Sequence, residues 1–168
     1  KLLDEQAKLL QEKNIKLENF KSEFFGEIRK LLEMQEGVKI SGDRFVFSSE
    51  ILFSSGEAVL SEGGKKQIKQ IANLILSISD KIPSNIDWIL RVDGHTDDKK
   101  IKGGKYKNNW ELSQARALSV VLYMQEFLNV PAYRLAATGF GEYQPVNKEN
   151  SEKARDQNRR IEIKLTER

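Results

Sequence analysis

The chain contains no cysteine, a single histidine and only three prolines among its 168 residues. The absence of cysteine excludes disulfide bonds, thiolate metal sites and cysteine nucleophiles. With only His95 available, one chain cannot supply two or three histidine ligands to a metal, and a Ser-His-Asp triad has one candidate base. No run of eighteen apolar residues is present, so the sequence predicts no membrane-spanning helix.

The N-terminus, KLLDEQAKLL, has neither an initiating Met nor the apolar core of a signal peptide. We therefore expect the chain to be a fragment whose targeting segment is missing. Its length and its 39% of hydrophobic residues are sufficient for one domain with a real core and an appendage.

Positive charge is concentrated in one segment. The net charge of the chain is +3, and the segment DDKKIKGGKYK at 97–107 carries five Lys against two Asp, which equals that excess. Two interpretations are open: the segment contacts an acidic partner, or it is a solvated loop. A chain this weakly basic is not typical of a dedicated nucleic-acid binder, and we expect no nucleic-acid partner.

The first 36 residues show the spacing of a long helix. Charged residues fill most of the other positions. Apolar residues recur every seven positions, at Leu3, Leu10, Leu17, Phe24 and Leu31. Phe20 and Met34 add the offset of three, although the seam is imperfect. One interpretation is a coiled-coil spacer that forms a homodimer through residues 1–36. The alternative is a single helix that packs Phe20, Phe24, Ile28 and Leu31 on the following domain. We expect the first half of this segment to be a coiled-coil spacer and the second half to be a packed helix.

A second pattern begins at Gly37. The extended segments are VKISGDRFVF, with a turn signal in its middle, IDWILRV, RLAATGFG and RIEIKLTE. Helices are predicted to begin near Ser61 and Asn108, where capping residues precede apolar periodicity. The order β, α, β, α, β, β predicts an α+β domain at 37–168, with one mixed sheet and helices on one face.

The densest polar cluster is DGHTDD at 93–98, directly after a predicted strand. A metal site or a metal-dependent hydrolase using Asp93, His95 and Asp97 is one interpretation, although no second histidine supports it. The alternative is that Asp93 and His95 hold a turn through hydrogen bonds.

Asp97 has a second interpretation when it is considered together with the helix that follows it. Asn109, Ser113 and Arg116 fall at i, i+4 and i+7, so they share one face of the first two turns. A helix N-terminus with an arginine suits a carboxylate, and a nearby Asp suits an ammonium. Asp97 and Arg116 together therefore suit a group that carries both charges on one carbon. A plain Asp97–Arg116 salt bridge remains the alternative on spacing alone.

Four motifs resemble the OmpA-like peptidoglycan-binding domain family, in the order in which that family has them. They are VDGHTD at 92–97, NWELSQARA at 109–117, RLAATGFGEYQP at 134–145 and NRRIEI at 158–163. The NWELS motif and the long loop before it are most similar to those of the MotB branch and its non-flagellar relatives.

The resemblance implies a βαβαββ two-layer sandwich that binds peptidoglycan through diaminopimelate, without catalysis and without a cofactor. It places the ligand residues on Asp97 and Arg116, with Asn109 and the backbone of Thr96. Ser113, Arg159 and His95 would be supporting residues. It implies no metal ligand, and it transfers no role to Lys99–Lys107.

The resemblance also implies a location in the periplasm, tethered to the inner membrane by a segment upstream of this chain. We expect an inner-membrane partner, and a flagellar-stator subunit is the alternative within the family. The metal-dependent hydrolase is the alternative from another class.

Overall fold

The computed structural model describes residues 1–32 and 38–168, except for the side chains at positions 24, 25 and 27–32. The expected boundary between residues 36 and 37, Met34, and the side chains of Phe24, Ile28 and Leu31 lie outside the described residues. The helices are α1 (Leu2–Leu32), α2 (Ser49–Leu52), α3 (Glu62–Ile78), α4 (Asn109–Phe127) and α5 (Glu152–Asn158). The strands are β1 (Val38–Ser41), β2 (Arg44–Ser48), β3 (Trp88–His95), β4 (Leu135–Gly139) and β5 (Arg160–Glu167).

The strands form one mixed sheet in the order β1-β2-β5-β3-β4. Strands β3 and β4 are parallel, because helix α4 connects them, and the other pairs are antiparallel. Alternate residues of β2, β5 and β3 share one hydrophobic core with the buried residues of α3 and α4. The predicted α+β class, the mixed sheet and the helical layer are confirmed.

Both long helices of the domain begin where the sequence predicts, because side chains cap them. Ser61 accepts a hydrogen bond from the backbone N–H of Gly64, and Asn108 accepts one from that of Glu111. These bonds satisfy N–H groups that have no partner inside the helix. In α3 the buried positions are spaced three and four apart at Ile68, Ile71, Ala72 and Ile75, which places one apolar stripe on the sheet.

Helix α4 lies unusually close to the sheet, and two glycines allow it. A Cβ on Gly94 of β3 would collide with the backbone carbonyl of Ser113, and a Cβ on Gly139 of β4 would lie 2.6 Å from the backbone N of Gln114. No side chain fits at either position. The backbone of the helix therefore rests directly on the ends of the two parallel strands.

The first helix attaches to the domain through its middle. Leu17 is buried in the core, while Leu3 and Leu10 are 80% and 59% exposed. Lys13 forms an ion pair with Glu167, and Lys21 lies 3.5 Å from a carboxylate oxygen of Asp43. The described side chains are exposed up to Glu12, and packing begins at Lys13 and Leu17, within the first half of the segment. The expected coiled-coil spacer stays a prediction.

The face of the sheet opposite the core carries an ionic network. Arg91 donates two hydrogen bonds to Asp93, at 2.8 and 2.9 Å. Arg44 Nη1 lies 3.2 Å from Glu162, and His95 Nε2 lies 3.5 Å from the other oxygen of that carboxylate. Burial raises the pKa of Asp93, against the opposing effect of Arg91. Burial also lowers the pKa of His95 to about 3, with further contributions from three arginines.

Two details of the sequence prediction were wrong. The third strand continues to His95 instead of ending at Val92, because Asp93 and Gly94 pair with both β5 and β4. Asp93 and His95 are therefore strand residues and not turn residues. The short helices α2 and α5 were not predicted, since neither is long enough to show an apolar repeat.

Among residues 1–32 and 38–168, none of the helices combines the length and the apolar character needed to span a bilayer.

Gly94→Ala should unfold the domain or destabilise it by at least about 2 kcal/mol, because the added methyl group forces α4 off the sheet. Urea unfolding measures the effect. Gly63→Ala is the matched control, since its Cβ would meet only Ser61 Oγ at 4.0 Å and it lies inside a helix. The control should be neutral or stabilising by up to about 1 kcal/mol. Equal stability of Gly94→Ala and the wild type would contradict the close packing.

Acid should destabilise the fold through His95. The pKa of an unfolded histidine is about 6.5, so the unfolded chain binds more protons between that pH and the folded pKa of about 3. The free energy of unfolding therefore falls as the pH falls through this window. On going from pH 7.5 to 5.0, His95→Gln should lose about 2 kcal/mol less than the wild type in urea unfolding. The same loss in both proteins would exclude His95 as the cause.

Candidate functional site

A cleft of about 590 Å³ opens beyond the carboxyl end of β3, between the loop that follows β3, the first turns of α4, and helices α2 and α5. The end of a strand in such a sheet is a common place for a binding site. The side chains that matter for its chemistry are Phe53, Asp97, Asn109, Arg116, Glu152 and Arg159.

Asp97 stands at one side of the cleft, two residues after β3. Its Oδ2 accepts a hydrogen bond of 2.6 Å from Arg159 Nη1, and its Oδ1 accepts one of 3.0 Å from the backbone N–H of Lys99. A carboxylate has about four lone-pair positions, so Asp97 can still accept hydrogen bonds from a ligand. Its side chain keeps 12% of its surface exposed.

Arg159, at the junction of α5 and β5, forms ion pairs with several carboxylates at the cleft. Besides Asp97, its guanidinium lies 2.7 Å from Glu50 and 3.1 Å from Glu152. Burial would lower the pKa of Arg159, but the hydrogen bonds to these three carboxylates outweigh it and raise the pKa. Arg159 therefore contacts Asp97 directly and stays charged, which the spacing of the sequence did not show.

Arg116 stands on α4 and is 5% exposed. Its Nε donates to the backbone carbonyl of Glu57 at 2.8 Å, its Nη2 lies 3.4 Å from that of Ser54, and its guanidinium lies 5.2 Å from the ring centre of Phe53. Among the described residues Nη1 has no hydrogen-bond partner. Burial lowers the pKa of Arg116, although a guanidinium stays protonated. The side chain is thus held in place with one end free to meet an anion.

The plain Asp97–Arg116 salt bridge, the alternative from spacing, is not formed. Asp97 is bonded to Arg159, and Arg116 to backbone carbonyls. The two side chains line the same cleft as separate charges of opposite sign, each already oriented by other groups.

Asn109 and Thr96 hold the loop that carries Asp97. The side-chain amide of Asn109 donates to the backbone carbonyls of Asp97 and Lys99 at 3.3 and 3.1 Å. The hydroxyl of Thr96 also donates to the carbonyl of Asp97, at 2.9 Å, and its backbone N–H donates to the carbonyl of Gly141. Both residues line the cleft, and their described hydrogen bonds position the loop.

Two of the residues expected to support the site do not line the cleft. Ser113 Oγ accepts a hydrogen bond of 3.0 Å from the backbone N–H of Gly141, under the helix. His95 stacks on Phe140 at 5.1 Å, on the sheet face opposite the core. Because residues alternate along a strand, Asp93 and His95 share that face.

The hydrolase interpretation required Asp93, His95 and Asp97 to converge. Asp93 is bonded to Arg91 on the face opposite the core, while Asp97 lines the cleft. In the part of the chain that the structure describes, there is no group of three or more His, Asp or Glu side chains able to hold a metal ion. The arrangement therefore does not favour metal-dependent hydrolysis.

Sequence reasoning missed the wall of the cleft that precedes α3. Phe53 and the Ser54–Gly56 turn line it, and Glu50 and Glu152 come from the short helices. The Ser-Ser-Gly break in ILFSSGEAVL was the available signal, since it marks a turn. Lys99 and Ile101, to which no role was transferred, also line the cleft.

The cleft presents an oriented carboxylate and an oriented guanidinium to the same space. Asp97 can accept an ammonium, and Arg116 can donate to a carboxylate through its free Nη1 and its weakly engaged Nη2. A ligand with both charges close together would satisfy both residues.

Comparison with known proteins agrees with this architecture. The model of the OmpA family matches residues 52–159, more than half of the chain. Motility protein B of Bacillus subtilis is 33% identical over 150 residues, which cover 88% of this chain and 55% of that protein. The chain spans about half the length of the first curated relatives it matches.

Two solved structures share the fold. A MotB-like protein from Desulfovibrio vulgaris aligns with a TM-score of 0.77 and 24% identity, over 92% of this chain and 96% of that one. The cell wall anchor of the T6SS from Pseudomonas aeruginosa aligns with a TM-score of 0.63 and 27% identity, over 88% of this chain and 96% of that one.

The Asp97–Arg159 pair predicts energetic coupling. Arg159→Gln should destabilise the domain by about 1–2 kcal/mol, because the largely buried carboxylate of Asp97 loses its charged hydrogen-bond donor. Adding Asp97→Asn should cost less than the sum of the single changes, as a double-mutant cycle in urea would show. Strictly additive effects would mean that the pair contributes no coupling.

Proposed function

Because the chain belongs to the OmpA family, we propose that it binds peptidoglycan non-covalently through the diaminopimelate of the stem peptide and anchors a larger protein to the cell wall. The observation that carries this proposal is the cleft in which Asp97 and Arg116 are oriented separately, each with capacity left for a ligand. Diaminopimelate has an ammonium and a carboxylate on one side-chain carbon, which matches that pair.

In the proposed complex Arg116 donates from Nη1 and Nη2 to the ligand carboxylate, while Asp97 accepts from the ammonium. Arg159 holds the carboxylate of Asp97 in place through a hydrogen bond, and Asn109 and Thr96 hold its loop. Little conformational freedom is lost on binding, because the protein groups are already in position. The role is binding alone: no bond of the ligand is made or broken, and no cofactor takes part.

The relatives support wall anchoring as the broader role. The aligned Pseudomonas aeruginosa structure is that of a cell wall anchor, and the Bacillus subtilis relative is named as a motility protein. The second relationship favours one alternative for the whole protein, namely a subunit of a flagellar stator. Both roles need the same hold on the wall and differ in the membrane partner.

We further propose a periplasmic domain tethered to the inner membrane by a segment upstream of residue 1. Leu3 and Leu10 project from α1 with most of their surface exposed, which suits pairing with the same helix of a second copy. The contacts of α1 with Asp43 and Glu167 lie at the end of the sheet opposite the cleft. A tether entering there leaves the cleft open toward the wall.

The decisive test is a calorimetric titration with a muropeptide that contains diaminopimelate, beside one that contains lysine. The lysine peptide lacks the carboxylate that Arg116 would bind, so its affinity should be at least about tenfold lower. Arg116→Ala should abolish binding of the first ligand, and Arg116→Lys should reduce it strongly, because an ammonium cannot form the planar fork.

Arg134→Ala is the matched control. Arg134 also donates to a backbone carbonyl, at 2.8 Å, and packs over an aromatic ring, at 4.4 Å from the centre of Trp88, but it does not line the cleft. The affinity of Arg134→Ala for the muropeptide that contains diaminopimelate should equal that of the wild type. Equal affinity for the two muropeptides, or full binding by folded Arg116→Ala, would overturn the site assignment.

A further inference from the structure

Two exposed aromatic side chains stand beside the cleft. Trp110 and Tyr143 are stacked with their ring centres 4.9 Å apart and an angle of 28° between the planes. Even so, Trp110 keeps 50% of its surface exposed and Tyr143 keeps 58%. Large aromatic groups that remain exposed after packing on each other are typical of interaction surfaces.

The pair is held rigidly by the same elements that build the cleft. Trp110 is the second residue of α4, and Tyr143 follows a tight turn after β4. At the centre of that turn Gly141 has φ of 62°, a conformation that favours glycine, and a Cβ there would lie 3.3 Å from the ring of Tyr143. The carbonyl of Gly141 accepts a hydrogen bond of 2.9 Å from Thr96. The aromatic surface is therefore already in place before a ligand arrives.

A second cavity, of about 210 Å³, lies against this pair. It is lined by Trp110 and Tyr143 together with Lys100 and Lys107, and by Ile101 and Asn109, which also line the cleft. The two cavities are thus neighbours on one surface. An aromatic face with the ammonium groups of Lys100 and Lys107 at its edge suits a sugar ring, whose C–H face is apolar and whose rim carries hydroxyl and acetamido groups.

We propose that Trp110 and Tyr143 form a second subsite, which binds an N-acetylated amino sugar of the glycan strand. This inference rests on the proposed function, because a stem peptide held at Asp97 and Arg116 is covalently attached to such a sugar. The occupant is therefore supplied by the ligand of the neighbouring cleft, on the side that Asn109 and Ile101 share. Lys100 and Lys107, from the basic segment 97–107, lie along the rim of this subsite.

The test compares a disaccharide-tripeptide that contains diaminopimelate with the same tripeptide freed from its sugar. The wild type should bind the sugar-bearing ligand about threefold to tenfold more tightly, the range expected for one aromatic stacking contact. Trp110→Ala and Tyr143→Ala should each remove most of that preference. Trp110→Phe should keep part of it, because a ring remains.

Tyr133→Ala is the matched control, since Tyr133 is 68% exposed and lines neither cavity. It should retain the full preference for the sugar-bearing ligand. Tryptophan fluorescence adds a direct readout, because Trp110 is half exposed while Trp88, the other tryptophan, is buried. The sugar-bearing ligand should change the emission more than the bare tripeptide does.

The outcomes separate the two proposals. If the wild type binds both ligands equally, or if Trp110→Ala weakens both to the same extent, the sugar subsite is wrong while diaminopimelate binding stands. If a folded wild type binds neither ligand, the proposed function fails first.

Discussion

The direct contact between helix α4 and the ends of β3 and β4 is the constraint on which the site depends. Gly94 and Gly139 leave no space for a side chain, so the backbone of α4 at Ser113 and Gln114 rests on the sheet. This contact sets the height and rotation of the helix. Asn109 then reaches the loop after β3, and Arg116 reaches the turn before α3.

Buried charges are paired differently on the sheet face opposite the core and at the cleft beyond the end of β3. On the face opposite the core, Asp93 is paired with Arg91 and His95 is held neutral by a low pKa. At the cleft, Asp97 is paired with Arg159, and Arg116 donates from Nε and Nη2 to carbonyl groups that carry no net charge. Arg116 therefore keeps its positive charge uncompensated at close range. An anionic group that enters the cleft can therefore pair with Arg116 without displacing a carboxylate.

The placement of the first helix suits an anchor. Its described ion pairs with the domain lie at Asp43 and Glu167, whereas the cleft lies beyond the other end of β3. A force that pulls on α1 is then transmitted along the sheet, whose strands are joined by hydrogen bonds across its whole width. The fold places the ion pairs of α1 and the cleft at opposite ends of the same sheet.

The sequence by itself determined the class of the fold, the starts of α3 and α4, and the pairing of Asp97 with Arg116 as candidates. These follow from local features: capping residues, apolar periodicity and motifs whose spacing is short. Which partners hold those two side chains was decided only by the tertiary structure. Arg159 is 62 positions from Asp97, and the carbonyl of Glu57 is 59 positions from Arg116. No periodicity along the chain encodes contacts at such separations, because they arise when the sheet brings α2, α4 and α5 to one edge. In the sequence His95 seemed to belong with Asp97, but β3 ends at His95. His95 therefore shares the sheet face of Asp93, whereas Asp97 lies in the loop that follows and lines the cleft.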